Sequence, residues 1–356
     1  MAYSASRPTR ACQTQPSRRG FLARTGAALA IALPAWSSLG GMPAFAQPAD
    51  IPSLTMKFGH PYNEKHPLAQ AATMFAKIVG DKTGGKIKIS VYPNSTIGDA
   101  RALIESMQIG AVDMALAPTT NAASFYHPLD LFYLPFLFRD AEHAYHVADG
   151  PVGQELYDGL LKKVGIRTLA MYESGFRTIT TRKTPVHMPD DMKGVKFRVV
   201  NNPLNVATFK ALGANPTPMP LSEVFTGLQQ GTVDGQDNPV GNVVAFGFDK
   251  VQSYITLSHH QWAGIMVLIS EKTWAKLPPA VQTMFKDAAL ETQNWERKEV
   301  NKSDESYLKQ MKDHGMTVID LTDPQKQAFQ EKMQGVWDQY RSKIGEKLIK
   351  DAVATK

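Results

Sequence analysis

GFRTITTRKTPVHMPDDMKGVKFRVVNNPLNVATFKALGANPTPMPLSEVFTGLQQGTVDGQDNP, residues 175–239, sets the pattern from which the rest of the chain can be read. Two β-type runs, FRTIT at 176–180 and VKFRVV at 195–200, carry one arginine each, Arg177 and Arg198, on either side of a Pro-rich turn. A helical run (PLNVATFKALG), a Pro-punctuated loop, a second amphipathic helix (LSEVFTGLQQG) and a polar strand end (TVDGQDNP) follow. Arginine, asparagine and glutamine at strand ends, next to glycines, build polar pockets on a rigid frame. A guanidinium is planar and always charged, so it matches a carboxylate bidentately. The stretch therefore predicts a site for a small organic anion.

Moving outward, its last turn has an echo upstream. MQIGAVDMA at 107–115 aligns with LQQGTVDGQ at 228–236, so that Gln108, Gly110, Val112 and Asp113 recur as Gln229, Gly231, Val233 and Asp234. In both, a helix stops at glycine and leads into a strand carrying aspartate. The lead-ins also correspond, Gly85 to Lys88 with Gly194 to Lys196. Two similar α/β halves facing a cleft are expected.

The remaining chain fits that plan. Strands are expected at 54–59, 86–92 and 112–117, with helices at 67–81 and 98–109 between them, a βαβαβ order that marks a parallel sheet covered by helices. Residues 118–130 are expected as a loop, 131–138 (LFYLPFLF) as core packing, and 140–149 and 152–163 as helices. A strand at 166–173 precedes the central stretch. After it come a helix at 240–246, strands at 254–258 and 264–270, and a short helix at 271–277. A long charged helix at 279–314, a strand (MTVID) and a last helix from about residue 324 complete the chain.

The N-terminus belongs to neither half. SRRGFLAR at 17–24, an apolar run from Ala27 to about Gly41 and Ala44-Phe45-Ala46 form an export signal over 1–46, and Arg18-Arg19 give it a twin-arginine character. That segment holds five of the 39 basic residues and no acid, leaving 34 basic against 33 acidic, a net of +1. The basic balance thus belongs to the signal, and nucleic acid is not an expected partner. The single cysteine, Cys12, also lies there, which removes disulfides, thiol catalysis and cysteine metal sites from the remainder. No D-x-[DN]-x-[DN]-G loop or H-E-x-x-H order occurs, so no metal and no cofactor is expected. A periplasmic location follows from the signal.

Phe176-Arg177, Pro189 to Gly194, Lys196-Phe197-Arg198, Leu212 to Met219, Ser222 to Phe225 and Gln229 to Pro239 together resemble the DctP-type solute-binding proteins of tripartite ATP-independent periplasmic (TRAP) transporters. The resemblance runs from Lys57-Phe58-Gly59-His60 through Ile97-Gly98-Asp99 and Leu134-Pro135-Phe136 to Trp274. It implies a two-lobed α/β periplasmic binding protein of type II-like form, each lobe a mixed or parallel sheet flanked by helices, with one long helix spanning both. The expected division is 47–174 with about 264–303, 175–263 with about 304–330, and a C-terminal helix at 331–356. The resemblance further implies capture of a dicarboxylate or a sugar acid such as a uronate, delivered by a monomer to a small and a large membrane subunit. By position, Arg198 pairs with the ligand carboxylate, Asn238 fixes its angle, and Arg177 is a second site arginine. Asn201, Asp99, Thr119 and Thr120 fall on site-lining positions. Pro118 and Leu221 stand where sialic-acid binders carry an acid and an aromatic, which argues against that substrate.

Blander readings accompany these. Arg177 and Arg198 could form ion pairs with Glu173, Asp190 or Asp191, Asn238 could be a turn residue, and Trp262 is expected to pack rather than stack on a ligand. His143 and His146 on one helix, and His259-His260, read as surface or core residues. A periplasmic enzyme would need a nucleophile elbow, metal cluster or phosphate loop, and none is found; a ligand-sensing partner of a membrane receptor is a third possibility.

Overall fold

Three parallel strands open the fold: β1 (Leu54–Gly59), β2 (Ile87–Tyr92) and β3 (Met114–Pro118), in the order β2-β1-β3. The computed structural model describes residues 51–356, apart from the side chain of Ser303; the export signal read at 1–46 lies outside the described residues. The crossovers are α1 (Pro67–Lys82) and α2 (Ala100–Ile109). Helix α1 starts at a His66 cap with Pro67 in its first turn, and its stripe Leu68, Ala71, Ala72, Phe75 and Val79 is buried at the spacing of one helix face. Helix α2 is capped by the Asp99 carboxylate and stops at Gly110, whose φ of 83° suits glycine.

Residues 118–130, expected as a loop, instead hold α3 (Thr119–Ala123), followed by a 3-10 segment over His127–Tyr133. Pro118 starts α3, and the small residues TTNAA let it fit against the sheet. The LFYLPFLF run is core, as expected: Leu131, Phe132, Tyr133 and Leu134 are buried. Helices α4 (Ala141–Asp149) and α5 (Pro151–Val164) lead to β4 (Ile166–Thr181).

Strand β4 corrects the sequence reading, which placed two strands here. The second lobe repeats the first: β5 (Lys196–Val199), β6 (Asn215–Pro218) and β7 (Gly235–Pro239) alternate with α6 (Pro203–Ala211) and α7 (Leu221–Gln230), in the order β6-β5-β7. Strand β6, expected as loop, is NPTP on the sheet edge, where a missing N–H costs no ladder bond. Then follow α8 (Val240–Ala245), β8 (Tyr254–Leu257), β9 (Trp262–Ser270), α9 (Glu271–Trp274), α10 (Pro279–Asp313) and β10 (Thr317–Asp320), the last paired with β8.

The first half of β4 pairs antiparallel with β9 and its second half with β7 and β8, and the register jumps between Glu173 and Phe176. Gly175, at φ 94°, absorbs the irregularity that a residue with a Cβ would resist. One strand thus serves both lobes.

The sequence echo holds at the level of single hydrogen bonds. Asp113 N–H donates to Lys57 O (3.3 Å) and Asp234 N–H to Lys196 O (2.7 Å). Asp113 O accepts from Ser270 N–H and Asp234 O from Arg182 N–H, while Gly110 and Gly231 both cap their helices left-handed. Strand β3 finds an antiparallel neighbour in β9 as β7 does in β4.

Helix α10, 35 residues long, packs on α1 and β4 and also on α8 and β10, so it spans both lobes as expected. The single C-terminal helix expected over 331–356 is not observed. After α11 (Asp323–Lys332), the chain forms α12 (Gln334–Ile344) and α13 (Glu346–Ala354), because Gly345, at φ 108° and ψ 121°, breaks the helix between them. Helix α12 lies against α6, and α13 against α5.

Candidate functional site

The cavity forms where the carboxyl ends of the two parallel sheets face each other, the usual place for a ligand in such sheets. The first lobe contributes Asp99 and Arg101 from the start of α2 and Pro118 to Asn121 from the β3–α3 junction. The second contributes Arg198, Val200 and Asn201 from β5 and its exit, Met219 to Ser222 ahead of α7, and Asn238 at the end of β7. Ser174 and Arg177 of β4 and Ala263 to Ile265 of β9 form the floor. All seven residues expected from the sequence line this one cavity. Its volume is about 130 Å3, well above the ~10–15 Å3 needed to admit one water, so it has room for several waters or a small organic molecule.

Arg198 is 2% exposed. Its Nε and Nη2 both donate to the Met219 carbonyl, at 3.0 and 2.8 Å, which fixes the guanidinium plane. Its Nη1 is buried with no hydrogen-bond partner among the described residues. Burial lowers its pKa to about 10, Asp237 acting in the opposite sense and Arg177 adding to the fall. It keeps its charge at neutral pH with one end free.

Arg177 is placed otherwise. Its Nε pairs with Asp237 Oδ2, its Nη2 donates to the Asp237 carbonyl, and its guanidinium lies 5.5 Å from the Tyr133 ring centroid. The ion pair weighed from the sequence thus exists, with Asp237 as its acid and not with Glu173, Asp190 or Asp191. Burial works against both charges, yet each outweighs it for the other: Asp237 is held well below the usual carboxylate range and Arg177 above its usual value. His260 Nε2 is 3.5 Å from the same carboxylate oxygen.

Asn238 sits in a buried chain of amides. Its Nδ2 donates to Gln236 Oε1, and its Oδ1 accepts from Asn242 Nδ2 at 3.1 Å. One N–H of the amide is left for a ligand. Asn242 Oδ1 accepts in turn from Ser174 and from His66 Nε2; His66 Nδ1 accepts from Leu68 N–H, so the proton is on Nε2. Asn238 is therefore more than a turn residue, since its amide links strand β7 to α8 and, through His66, to the first lobe.

The other expected residues take varied roles. Asp99 spends Oδ1 on the amides of Arg101 and Ala102 at 2.9 Å, so part of its carboxylate is a helix cap. The Thr120 carbonyl accepts from Asn202 Nδ2 at 3.1 Å, an amide that also donates to Asp130. Thr119 Oγ1 is buried and has no hydrogen-bond partner among the described residues. Asn201 lines the cavity while remaining exposed to solvent. Trp262 packs, as expected: it is fully buried among Phe132, Phe138 and Tyr145, and its Nε1 donates to Glu173 at 2.8 Å. His143 and His146 bond carbonyls of the C-terminal residues Ala352 and Lys356. Among the described residues, no group of three or more His, Cys, Asp or Glu is placed to hold a metal ion.

Sequence reasoning missed Tyr133, Asn242 and Arg101. Tyr133 hid in LFYLPFLF, where its hydroxyl was the one polar side-chain atom of the run, and that is the signal that could have found it.

Comparison with known proteins places the fold in a family. The model of the family "Bacterial extracellular solute-binding protein, family 7" matches residues 58–343. The 2,3-diketo-L-gulonate-binding periplasmic protein YiaO of Escherichia coli K12 is 35% identical over 291 residues, 82% of this chain and 88% of that one. A TRAP periplasmic solute-binding protein from Sulfurospirillum deleyianum, solved with bound succinate, superposes with a TM-score of 0.82 at 37% identity, over 86% of this chain and 100% of that one. The sugar acid binding protein DctPAm from Advenella mimigardefordensis, in complex with galactonate, gives 0.83 at 32% identity, over 86% and 98%. The chain belongs to family 7 of the bacterial extracellular solute-binding proteins, the TRAP periplasmic solute-binding proteins.

Proposed function

We propose that this protein captures a small carboxylate-bearing molecule, with Arg198 as the residue that pairs with the carboxylate, and delivers it to the membrane subunits of a TRAP transporter. The observation that carries this reading is the buried Nη1 of Arg198, a charged donor in the cavity wall without a partner. Leaving such a group unpaired is costly, and a carboxylate oxygen would satisfy it. Asn238 adds its remaining N–H. Arg177 lines the site with its charge balanced by Asp237, which already holds its Nε. Asn201, Asp99, Thr119 and Thr120 line the remainder of the ligand.

The binding role, rather than an enzymatic one, rests on the family and on a site whose polar groups are hydrogen-bond donors and acceptors with no nucleophile–base pair. Export to the periplasm by the twin-arginine route, and action as a monomer, belong to the same proposal. So do the lobe boundaries, 47–174 with 264–303 and 175–263 with 304–330; the bulge at Gly175, where β4 leaves β9 for β7 and β8, supports the division.

Thermal shift and calorimetry on residues 47–356 against dicarboxylates, aldonates and uronates test the reading. A ligand at a hundred times its Kd adds about 2.7 kcal/mol to stability. Arg198→Ala is expected to weaken the best ligand at least about tenfold, because a hydrogen bond to a charged group contributes about 1.5–3 kcal/mol. Arg198→Lys should fail as well, since a point charge cannot replace the planar fork. Unchanged affinity in Arg198→Ala would sink the assignment.

A further inference from the structure

The cavity wall holds a second set of unused hydrogen-bonding atoms. Among the described residues, three cavity-lining side chains carry a buried polar atom without a partner: Arg198 Nη1, Tyr133 Oη and Thr119 Oγ1. Tyr133 and Thr119 are 2% and 1% exposed, so water at the surface does not satisfy them. Neither is loosely held. The Tyr133 carbonyl accepts from Gln261 Nε2 at 2.8 Å and its ring lies against the Arg177 guanidinium, while Thr119 begins α3 directly after β3. The Tyr133 hydroxyl also feels the charge of Arg198, which places it in the electrostatic neighbourhood of the carboxylate site.

The charges lining the same cavity are nearly all committed. Arg177 is paired with Asp237, and Arg101 is bridged to Glu105 at 3.0 Å and lies 5.1 Å from the Phe125 ring centroid. A second ligand carboxylate near Arg101 would also meet the Asp99 carboxylate at the start of α2. Apart from Arg198, the buried Arg177 pair, the half-exposed Arg101–Glu105 pair and Asp99, the polar wall is neutral and includes Asn121, Asn201, Ser95 and Ser222. One uncommitted cation matches one carboxylate, and neutral amides and hydroxyls match hydroxyls.

We propose that Tyr133 and Thr119 form a subsite for an oxygen on the carbon next to the carboxylate, and that the protein therefore selects polyhydroxylated 2-hydroxy or 2-keto monocarboxylates over C4-dicarboxylates. This rests on Arg198 holding the carboxylate. The Tyr133 hydroxyl donates to a keto oxygen or exchanges a hydrogen bond with a hydroxyl, and the Thr119 hydroxyl takes the other direction. A ligand lacking that oxygen leaves both groups buried and unpaired, which a site built for them discriminates against.

The test is calorimetry on residues 47–356 with D-gluconate, L-galactonate, D-erythronate and succinate, and with the 2-deoxy counterpart of whichever aldonate binds tightest. The aldonate is expected to bind about tenfold or more tighter than its 2-deoxy counterpart and than succinate. Tyr133→Phe and Thr119→Val should each lower aldonate affinity while leaving the 2-deoxy acid within about twofold, so the ratio collapses; a merely structural role would lower both alike. Succinate binding as tightly as the aldonates, or a ratio near one in the native protein, overturns the subsite. If acids bind with full dependence on Arg198 yet without a 2-oxygen preference, the subsite alone fails. If no acid binds, the anion site falls with it.

Discussion

Asp237 is fully buried, and its carboxylate is what allows Arg177 to sit charged beneath the cavity floor. A buried ion pair adds little net stability over a hydrophobic replacement, but removing one partner strands the other. Asp237→Asn is therefore expected to destabilise the fold by about 3 kcal/mol, read as a lowered urea midpoint with unchanged m-value. A loss under about 1 kcal/mol would mean that Arg177 has another anion to rest on and that its pairing is incidental. The contrast with Arg198 is the logic of the site at this scale. Two arginines sit on strands of one sheet, one neutralised from within the chain and one left with an open end. The sequence shows both arginines with equal clarity. It does not show which acid takes which, because Asp237 comes beside Arg177 only through the β4–β7 register, in which Ile179 faces Asp237.

Strand pairing decides more than charge. Gly235 opens β7 with its α-carbon against β4, and a Cβ there would meet the Thr180 carbonyl oxygen at 2.5 Å and the Thr181 and Phe197 side chains near 3 Å. The clash is with backbone, so the strands must part; Gly235→Ala is expected to cost about 1–3 kcal/mol and to weaken ligand binding through Asn238, three residues on. Gly335 in α12 faces open space, with no atom within 4 Å of where an added Cβ would sit, and Gly335→Ala should be neutral or stabilising by up to about 1 kcal/mol. Thermal melts of the two variants, run side by side, check both signs. Elements with a strong period were legible: α1, α2, α7, the long α10 and strands β1, β2, β3, β5 and β7 stand within a few residues of where periodicity placed them. What could not be read came from tertiary context. NPTP becomes a strand because a sheet edge tolerates proline, TTNAA becomes a helix because the sheet receives it, and 166–181 is one strand because two lobes share it. All seven expected site residues line the cavity, from β4, β5 and its exit, the end of β7, the start of α2 and the β3–α3 junction. Tyr133 was passed over because its run reads as core, although its hydroxyl is the one polar side-chain atom in LFYLPFLF.

Across the whole molecule, α10 packs on elements of both lobes and sets a buried carboxyl, Glu296, against the strand they share. Glu296 Oε2 accepts from the Glu173 amide at the β4 bulge, and its other oxygen has no partner among the described residues. Burial, with Glu173 adding to it, raises the Glu296 pKa well above the usual value. A carboxyl with a raised folded-state pKa binds its proton more tightly folded than unfolded, so its contribution is full below the unfolded value near 4.5 and is lost as pH rises through the folded pKa. Glu296→Gln keeps the acceptor and removes the titration. It is expected to match the native protein below about pH 4.5 and to become progressively more stable than it towards neutrality, by at most about 1.4 kcal/mol per pH unit. Parallel stability curves for the two proteins would refute the assignment. His60 and His66 act on the acid side: burial lowers both to about 4 from 6.5, so stability falls as pH drops between those values in either protein.

The exchange of strands between the lobes also governs how the chain reaches this state. The sheet of the first lobe is completed by β9, which is made only after nearly all of the second lobe, and the second lobe borrows β4 from the end of the first. A nascent chain that has emerged as far as β3 therefore carries an open sheet edge until residues 262–270 leave the ribosome, and neither lobe can mature as a unit ahead of the other. Long-range closures of this kind are slow and leave edges prone to mispairing. Neither sheet is complete until β9 is in place, so a chain truncated before Ser270 is expected to accumulate as an aggregation-prone fragment rather than as half a binding protein.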